Sequence, residues 1–131
     1  MRTCVLLACL LFVMACDESL TGPTVHLNQE FELQPGSSSV ISGASFAVRF
    51  DGVSGDSRCP ADAVCIQGGD AIVDISVIDG RQARHLELHT GDMRPVSHDG
   101  YVIALIQLQP YPFSSRPIQP DEYRATLKVT R

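Results

Sequence analysis

The strongest constraint on this chain is an alternation of apolar and polar residues with a period of two. It is cleanest over residues 123–130, YRATLKVT. There Tyr123, Ala125, Leu127 and Val129 fall on one side, and Arg124, Thr126, Lys128 and Thr130 on the other. Successive side chains of a β-strand point to opposite faces, so such a segment buries one face and wets the other. The pattern recurs where Phe31 and Leu33 alternate with Glu30 and Glu32. It returns where Phe46, Val48 and Phe50 alternate with Ser45, Ala47 and Arg49. Residues 71–78, AIVDISVI, are rich in β-formers, and residues 101–108, YVIALIQL, are apolar on both faces, as suits a central strand. No segment beyond residue 16 carries an apolar stripe at helical spacing. Short runs punctuated by Gly, Pro, Asp and Asn predict an all-β fold. The expected architecture is an antiparallel β-sandwich of immunoglobulin-like or Greek-key type, with about seven strands.

One hairpin can be read in register. Asp79 and Gly80 stand between two strand-like runs, a strong two-residue turn signal. A tight turn on that pair sets Ile78 against Arg81, Val73 against Leu86 and Ala71 against Leu88. Paired residues share a face, so Ala71, Val73, Ile75, Val77, Leu86 and Leu88 make a core side. Ile72, Asp74, Ser76, His85 and Glu87 make the other side, with His89 just beyond and Asp74 opposite His85. Gly36 and the three serines after it read as a turn or loop. Residues 109–120, QPYPFSSRPIQP, hold four prolines. Proline cannot donate to a strand ladder, so this is an ordered loop or crossover, with Tyr111 and Phe113 expected against the sandwich edge.

The N-terminus supplies an address. After Met1, Arg2 and Thr3, residues 4–15, CVLLACLLFVMA, are almost purely apolar, and Cys16 follows. A charged start, a short apolar run and a small residue before the cut describe an export signal. The run is shorter than the ~20 helical residues that span a bilayer. Val13, Met14, Ala15 and Cys16 resemble the lipobox of bacterial lipoproteins. That resemblance implies that residues 1–15 are a signal peptide and that Cys16 becomes a lipid-bearing N-terminus, for which acyl chains such as palmitate are expected. Residues 16–24 then form a polar tether, and residues 25–131 a single domain. The domain would face the periplasm or exterior from the cell membrane or outer membrane.

Export sorts the cysteines. Of the five, Cys4 and Cys9 leave with the signal and Cys16 carries lipid, so Cys59 and Cys65 remain. An even pair in an oxidising compartment predicts a disulfide. Two thiols make a poor zinc site, and the spacing is not that of a Cys-x-x-Cys redox centre. The closed loop contributes roughly 2 kcal/mol by the chain-entropy argument, and Pro60 stiffens it further.

Charge excludes one class of partner. The chain carries 10 basic and 15 acidic side chains, a formal net charge of −5, with no basic run. Nucleic acid is therefore not an expected partner, and the expected membrane contact is the lipid anchor.

Candidate chemistry is sparse. His85, Glu87 and His89 would point the same way from a strand, and two imidazoles with a carboxylate suit zinc or copper. The competing reading is an exposed strand face with a cross-strand Asp–His pair, and it is preferred because His89 adjoins a turn-like Thr90, Gly91 and Asp92. Asp51, Asp56, Asp62 and Asp70 surround the cysteine loop but do not match a calcium-loop spacing, and aspartates beside glycines cap turns. Ser54, in Gly52, Val53, Ser54 and Gly55, is not the nucleophile elbow of a hydrolase. No catalytic motif is found, so neither an enzyme nor a cofactor is expected.

Gly55, Asp56, Ser57, Arg58, Cys59 and Pro60, then Val64, Cys65 and Ile66, then Gly69, Asp70 and Ala71, resemble a signature of small bacterial secreted proteins and lipoproteins. Those proteins read Asp-Ser-Arg-Cys-Pro, a second cysteine, and Gly-x-Ala; Gln67 stands where they often have tryptophan. The resemblance implies no activity. Physically the signature makes sense as a clamp, in which Arg58 reaches Asp56, Asp70 or carbonyls at a sheet end while the disulfide fixes the loop. Alternatively the rigid loop presents a recognition surface.

The expected function is therefore a cell-envelope lipoprotein with a non-enzymatic binding or structural role, with a protein of the envelope as a possible partner. Two alternatives are an inhibitor of envelope proteases that presents a rigid loop, and a small metal-binding protein.

Overall fold

The computed structural model describes residues 20–131. The expected signal peptide (1–15), Cys16 and the first part of the tether lie outside the described residues. Among the described residues nine strands form two packed sheets: β1 (Thr24–Val25), β2 (Glu30–Leu33), β3 (Ser38–Ile41), β4 (Ala47–Asp56), β5 (Ala71–Asp79), β6 (Gln82–His89), β7 (Val96–His98), β8 (Tyr101–Gln109) and β9 (Arg124–Thr130). One 3-10 turn, Pro120–Glu122, precedes β9. The five-stranded sheet runs β1-β3-β4-β5-β6 and the four-stranded sheet β2-β9-β8-β7. In the smaller sheet three consecutive antiparallel strands, β7 to β9, lie side by side with the sequence-distant β2 beside the last of them, which is a Greek-key order. Among the described residues no helix is long and apolar enough to cross a membrane.

The inner faces follow the alternation. Tyr123, Ala125, Leu127 and Val129 are all buried, as are Phe31 and Leu33 on β2 and Val48 and Phe50 on β4. Ala71, Val73, Ile75 and Val77 are sealed from water on β5. Two packed sheets thus interdigitate one apolar face each, the aligned-sandwich solution to covering a half-apolar strand. β8 departs from strict alternation. A bulge between Leu105 and Gln107 lets Leu105 and Leu108 both face inward and turns Ile106 out to 37 % exposure.

The β5–β6 hairpin corrects the expected register. Asp79 pairs with Gln82 and Ile78 with Ala83, so Gly80 and Arg81 form the two-residue loop. Gly80 has φ +58 and Arg81 is not left-handed, the type II′ pattern. A turn on Asp79 and Gly80 would need left-handed backbone at Asp79 as well, which the observed register avoids. The slip is two residues, an even number, so every side chain keeps its face while partners change. Val73 meets Leu88, Asp74 meets Glu87 rather than His85, and His85 meets Ser76.

Three further strands depart from the sequence reading. Ser38 and Ser39, expected in a loop, lie in β3, where Ser39 is buried. β1 pairs parallel to β3, and Thr21 and Pro23, expected in the tether, already hydrogen-bond through their carbonyls to Ser38 Oγ (2.7 Å) and Val40 N (2.9 Å). β7 is only three residues long and meets β8 across a tight turn at Asp99 and Gly100. Strands this short bury too little of one face to print a period in the sequence.

Candidate functional site

The cysteine loop leaves the end of β4 and returns into β5. Cys59 and Cys65 are joined, with Cα atoms 5.9 Å apart, inside the usual range for a bridge. The two arms are zipped below the bridge. Ser57 N donates to Asp70 O (2.7 Å), Asp70 N to Ser57 Oγ (3.1 Å), and Cys59 N to Gly68 O (2.8 Å). Gly69 sits at φ +71 with the Ser57 carbonyl where a Cβ would be, 1.8 Å away. Only glycine fits there. Ala71, two residues on, is sealed in the core.

Arg58 is the centre of the corner. It is 7 % exposed. Its Nε and Nη2 grip Asp56 Oδ1 and Oδ2 at 2.9 and 2.7 Å, a bidentate pair. Nη1 donates to Leu108 O and Nη2 to Pro110 O, each at 3.0 Å, at the far end of β8 in the opposite sheet. Tyr123 Oη donates to Asp56 Oδ2 at 2.9 Å, and the Tyr111 ring lies 5.3 Å from the guanidinium carbon. Burial pushes the Asp56 carboxyl up, but donors from Arg58 and Tyr123 outweigh it and hold the group below its ordinary value of 3.8. Burial, with the facing Asp56 carboxylate, pushes the Tyr123 hydroxyl up to about 12. The network ties both sheets together with every charge answered, so it is a fastener rather than a reactive centre.

Asp70, the other candidate partner for Arg58, serves a different joint. Its Oδ1 accepts from Gly91 N (2.8 Å) and Thr90 Oγ1 (3.2 Å), and its Oδ2 meets His89 Nδ1 at 2.6 Å. The Asp70 hydrogen bond raises the His89 pKa above 6.5. Some burial of Asp70 opposes ionisation, but the His89 and Gly91 donors lower its pKa overall. The latch holds the β6–β7 loop to the base of the cysteine loop.

The candidate metal ligands His85, Glu87 and His89, the reading not preferred from sequence, are engaged elsewhere. His85 Nδ1 is 2.9 Å from Ser76 Oγ, whose own hydrogen goes to Asp51 Oδ2 at 2.5 Å, so His85 donates to the serine. His89 Nδ1 is taken by Asp70, and its Nε2 lies 4.0 Å from Glu87. Asp51, Ser76 and His85 contain the residue types of a hydrolytic triad in an unproductive order. The serine is fully buried and donates to the carboxylate, whereas a nucleophile donates to the imidazole. Asp51 and Asp62 are occupied as well, Asp51 also by Arg49 and Asp62 by Ser114 N.

The apolar fringe of the corner is what residue patterns did not reveal. Val64 and Ile66, on either side of Cys65, are fully exposed, at 104 % and 105 %. Phe113 and Tyr111, expected against the sandwich edge, are 54 % and 48 % exposed on the neighbouring proline-rich loop. The two loops are stitched by Ala61 N to Pro112 O (2.9 Å) and Ser114 N to Asp62 Oδ1 (2.8 Å). Neither loop has a period, so no pattern could have flagged them. The signals were the cysteine pair in one loop and the four prolines in the other.

The chain matches no protein-family model, no curated protein and no solved structure. Its class is therefore defined by its own geometry: a two-sheet β-sandwich with a disulfide-closed loop buttressed by a buried Arg–Asp pair.

Proposed function

We propose that this protein is an exported lipoprotein of the bacterial cell envelope, anchored through Cys16, whose sandwich is a non-enzymatic binding module for a protein partner. The observation that carries the reading is the full exposure of Val64 and Ile66 on a loop closed by a covalent bond. Large apolar side chains left wholly in water on a braced backbone spare a partner that covers them the cost of ordering the loop, so that only side-chain freedom is lost. Covering each gains about 1.5–3 kcal/mol, and Tyr111 and Phe113 extend the same fringe with aromatic area. An envelope protease inhibitor is a narrower form of this reading, favoured by the same braced loop.

The experiment places a photo-crosslinking residue at position 64 in intact cells and, as a control, at position 87 on the outer sheet face. One dominant adduct from position 64, lost when Ile66→Asp and Phe113→Ser are added, supports the reading. Equal and diffuse adducts from both positions overturn it. If the adducted protein is a protease, purified domain slows its turnover in the inhibitor form. Mass spectrometry of the protein from cells tests export. The expected species begins at a lipidated Cys16 with Cys59 and Cys65 oxidised.

A further inference from the structure

At the end of the sandwich opposite the clamp, the β5–β6 and β7–β8 turns bring two aspartates to one histidine. Asp79 closes β5. His98 closes β7, and Asp99 follows it at φ +47 with Gly100 at φ +79, both left-handed as a type I′ turn requires. Turn chemistry accounts for an aspartate at 99, since its short side chain tolerates that backbone. It does not account for the histidine. His98 is 9 % exposed, and both its ring nitrogens are buried with no hydrogen-bond partner among the described residues. An unpaired buried polar group costs about 1–3 kcal/mol, and folded proteins answer nearly all of them. Phe46 holds the ring edge-to-face at 5.2 Å. His98 Nε2 stops 3.7 Å from Asp99 Oδ2, too far for a hydrogen bond and about the spacing of two ligands on one cation. One donor atom from each of Asp79, His98 and Asp99 lies within 4.8 Å of the others.

The geometry points to a binding site for a divalent transition-metal ion of the zinc class, held by Asp79 and Asp99 carboxylate oxygens and His98 Nε2. The imidazole sets the class. Calcium and magnesium take all-oxygen shells, whereas a nitrogen beside two carboxylates suits zinc and its neighbours. Ligands at ~2.0–2.2 Å in a tetrahedral shell sit roughly 3.5 Å apart, so rotation of the two carboxylates closes the set. The fourth position is left to water. The metal would pair Nε2, one of the two orphaned nitrogens, and screen two carboxylates that lie close together. This site is separate from the His85 and Glu87 face, and it depends neither on lipidation nor on the cysteine loop.

The test uses tag-free protein, stripped by chelator and dialysed, titrated with Zn²⁺ by calorimetry and with Co²⁺ by visible absorption. One equivalent is expected to bind. Asp79→Asn and Asp99→Asn, near-isosteric and the latter tolerant of the left-handed turn, should each weaken binding by at least about tenfold, the scale seen even for outer-shell changes. Glu87→Gln should leave it unchanged. Imidazole ¹⁵N spectra of the unaltered protein should show His98 shifting with Zn²⁺, which keeps the question answerable if His98→Ala does not fold. No saturable binding, binding indifferent to both asparagine variants, or a His98 ring that Zn²⁺ does not perturb would each overturn the site.

Discussion

The two ends of the sandwich treat buried polar groups in opposite ways. At the loop end, Arg58 is buried with Asp56, Leu108 O and Pro110 O satisfying it and Tyr123 completing the carboxylate. At the turn end, His98 is buried to the same degree with both nitrogens unanswered. A closed polar network gains from low dielectric because every charge has a partner, whereas an open one loses by the same factor. The difference teaches which end is fastened and which end is waiting for a ligand.

The comparison is broken most severely by Arg58→Ala. That change strips the Asp56 carboxylate of its cationic partner, leaving Tyr123 Oη and the backbone N–H of residue 58 as its donors, and leaves Leu108 O and Pro110 O without theirs, so denaturant unfolding should show a loss of about 3 kcal/mol. Cys59→Ser with Cys65→Ser should cost about 2 kcal/mol while far-ultraviolet circular dichroism remains that of the sandwich, since the zipped arms and the clamp persist. A loss as large as that for Arg58 would make the bridge, not the clamp, the main fastener. Tyr123→Phe removes one donor to Asp56 and should cost about 1–2 kcal/mol. It should also move the acid side of the stability curve upward. Asp56 has a depressed folded pKa, so its contribution is present above its unfolded value of 3.8 and is lost as pH falls through the folded value.

At the other end the expected sign reverses. His98→Phe, measured in chelator, should be neutral or stabilising by up to about 1 kcal/mol, because an orphaned polar ring is exchanged for an apolar one beside Phe46. A large destabilisation would show that His98 has partners in solution and would remove the contrast. The smallest effect belongs to Asp70 and His89, which are about a third exposed and screened by water and salt. Their pairing contributes above pH 3.8, where Asp70 is ionised, and below the raised pKa of His89. His89→Gln should therefore remove a few tenths of a kcal/mol, about the worth of an exposed pair, near pH 6 and almost nothing at pH 9.

The strands that alternate over five or more residues were legible from the sequence, and so were the faces they bury. β9 and β5 present inward the residues their patterns select. The four-residue β2 was legible because Glu30, Phe31, Glu32 and Leu33 alternate strictly, whereas β1, β3 and β7, of two to four residues, carry no such alternation. Within the clamp, Arg58 and Asp56 could be singled out from their place in the cysteine stretch. Leu108 O, Pro110 O and Tyr123 could not, because they lie 50 or more residues away in the chain. The Asp99 and Gly100 turn carried the same signal as Asp79 and Gly80, yet nothing local ties either one to His98.

By itself the sequence determined which face of β5 and β9 is buried, that the chain is all-β, and which residues form the cysteine loop. These depend on the pleat, on backbone propensity and on short-range spacing, all of which are local. Only the tertiary structure decided the hairpin register, the partner of Arg58 across the sheets, the exposure of Val64 and Ile66, and the meeting of two turns around His98. Those outcomes depend on how two sheets settle against each other, and that is fixed by packing between residues far apart in the chain.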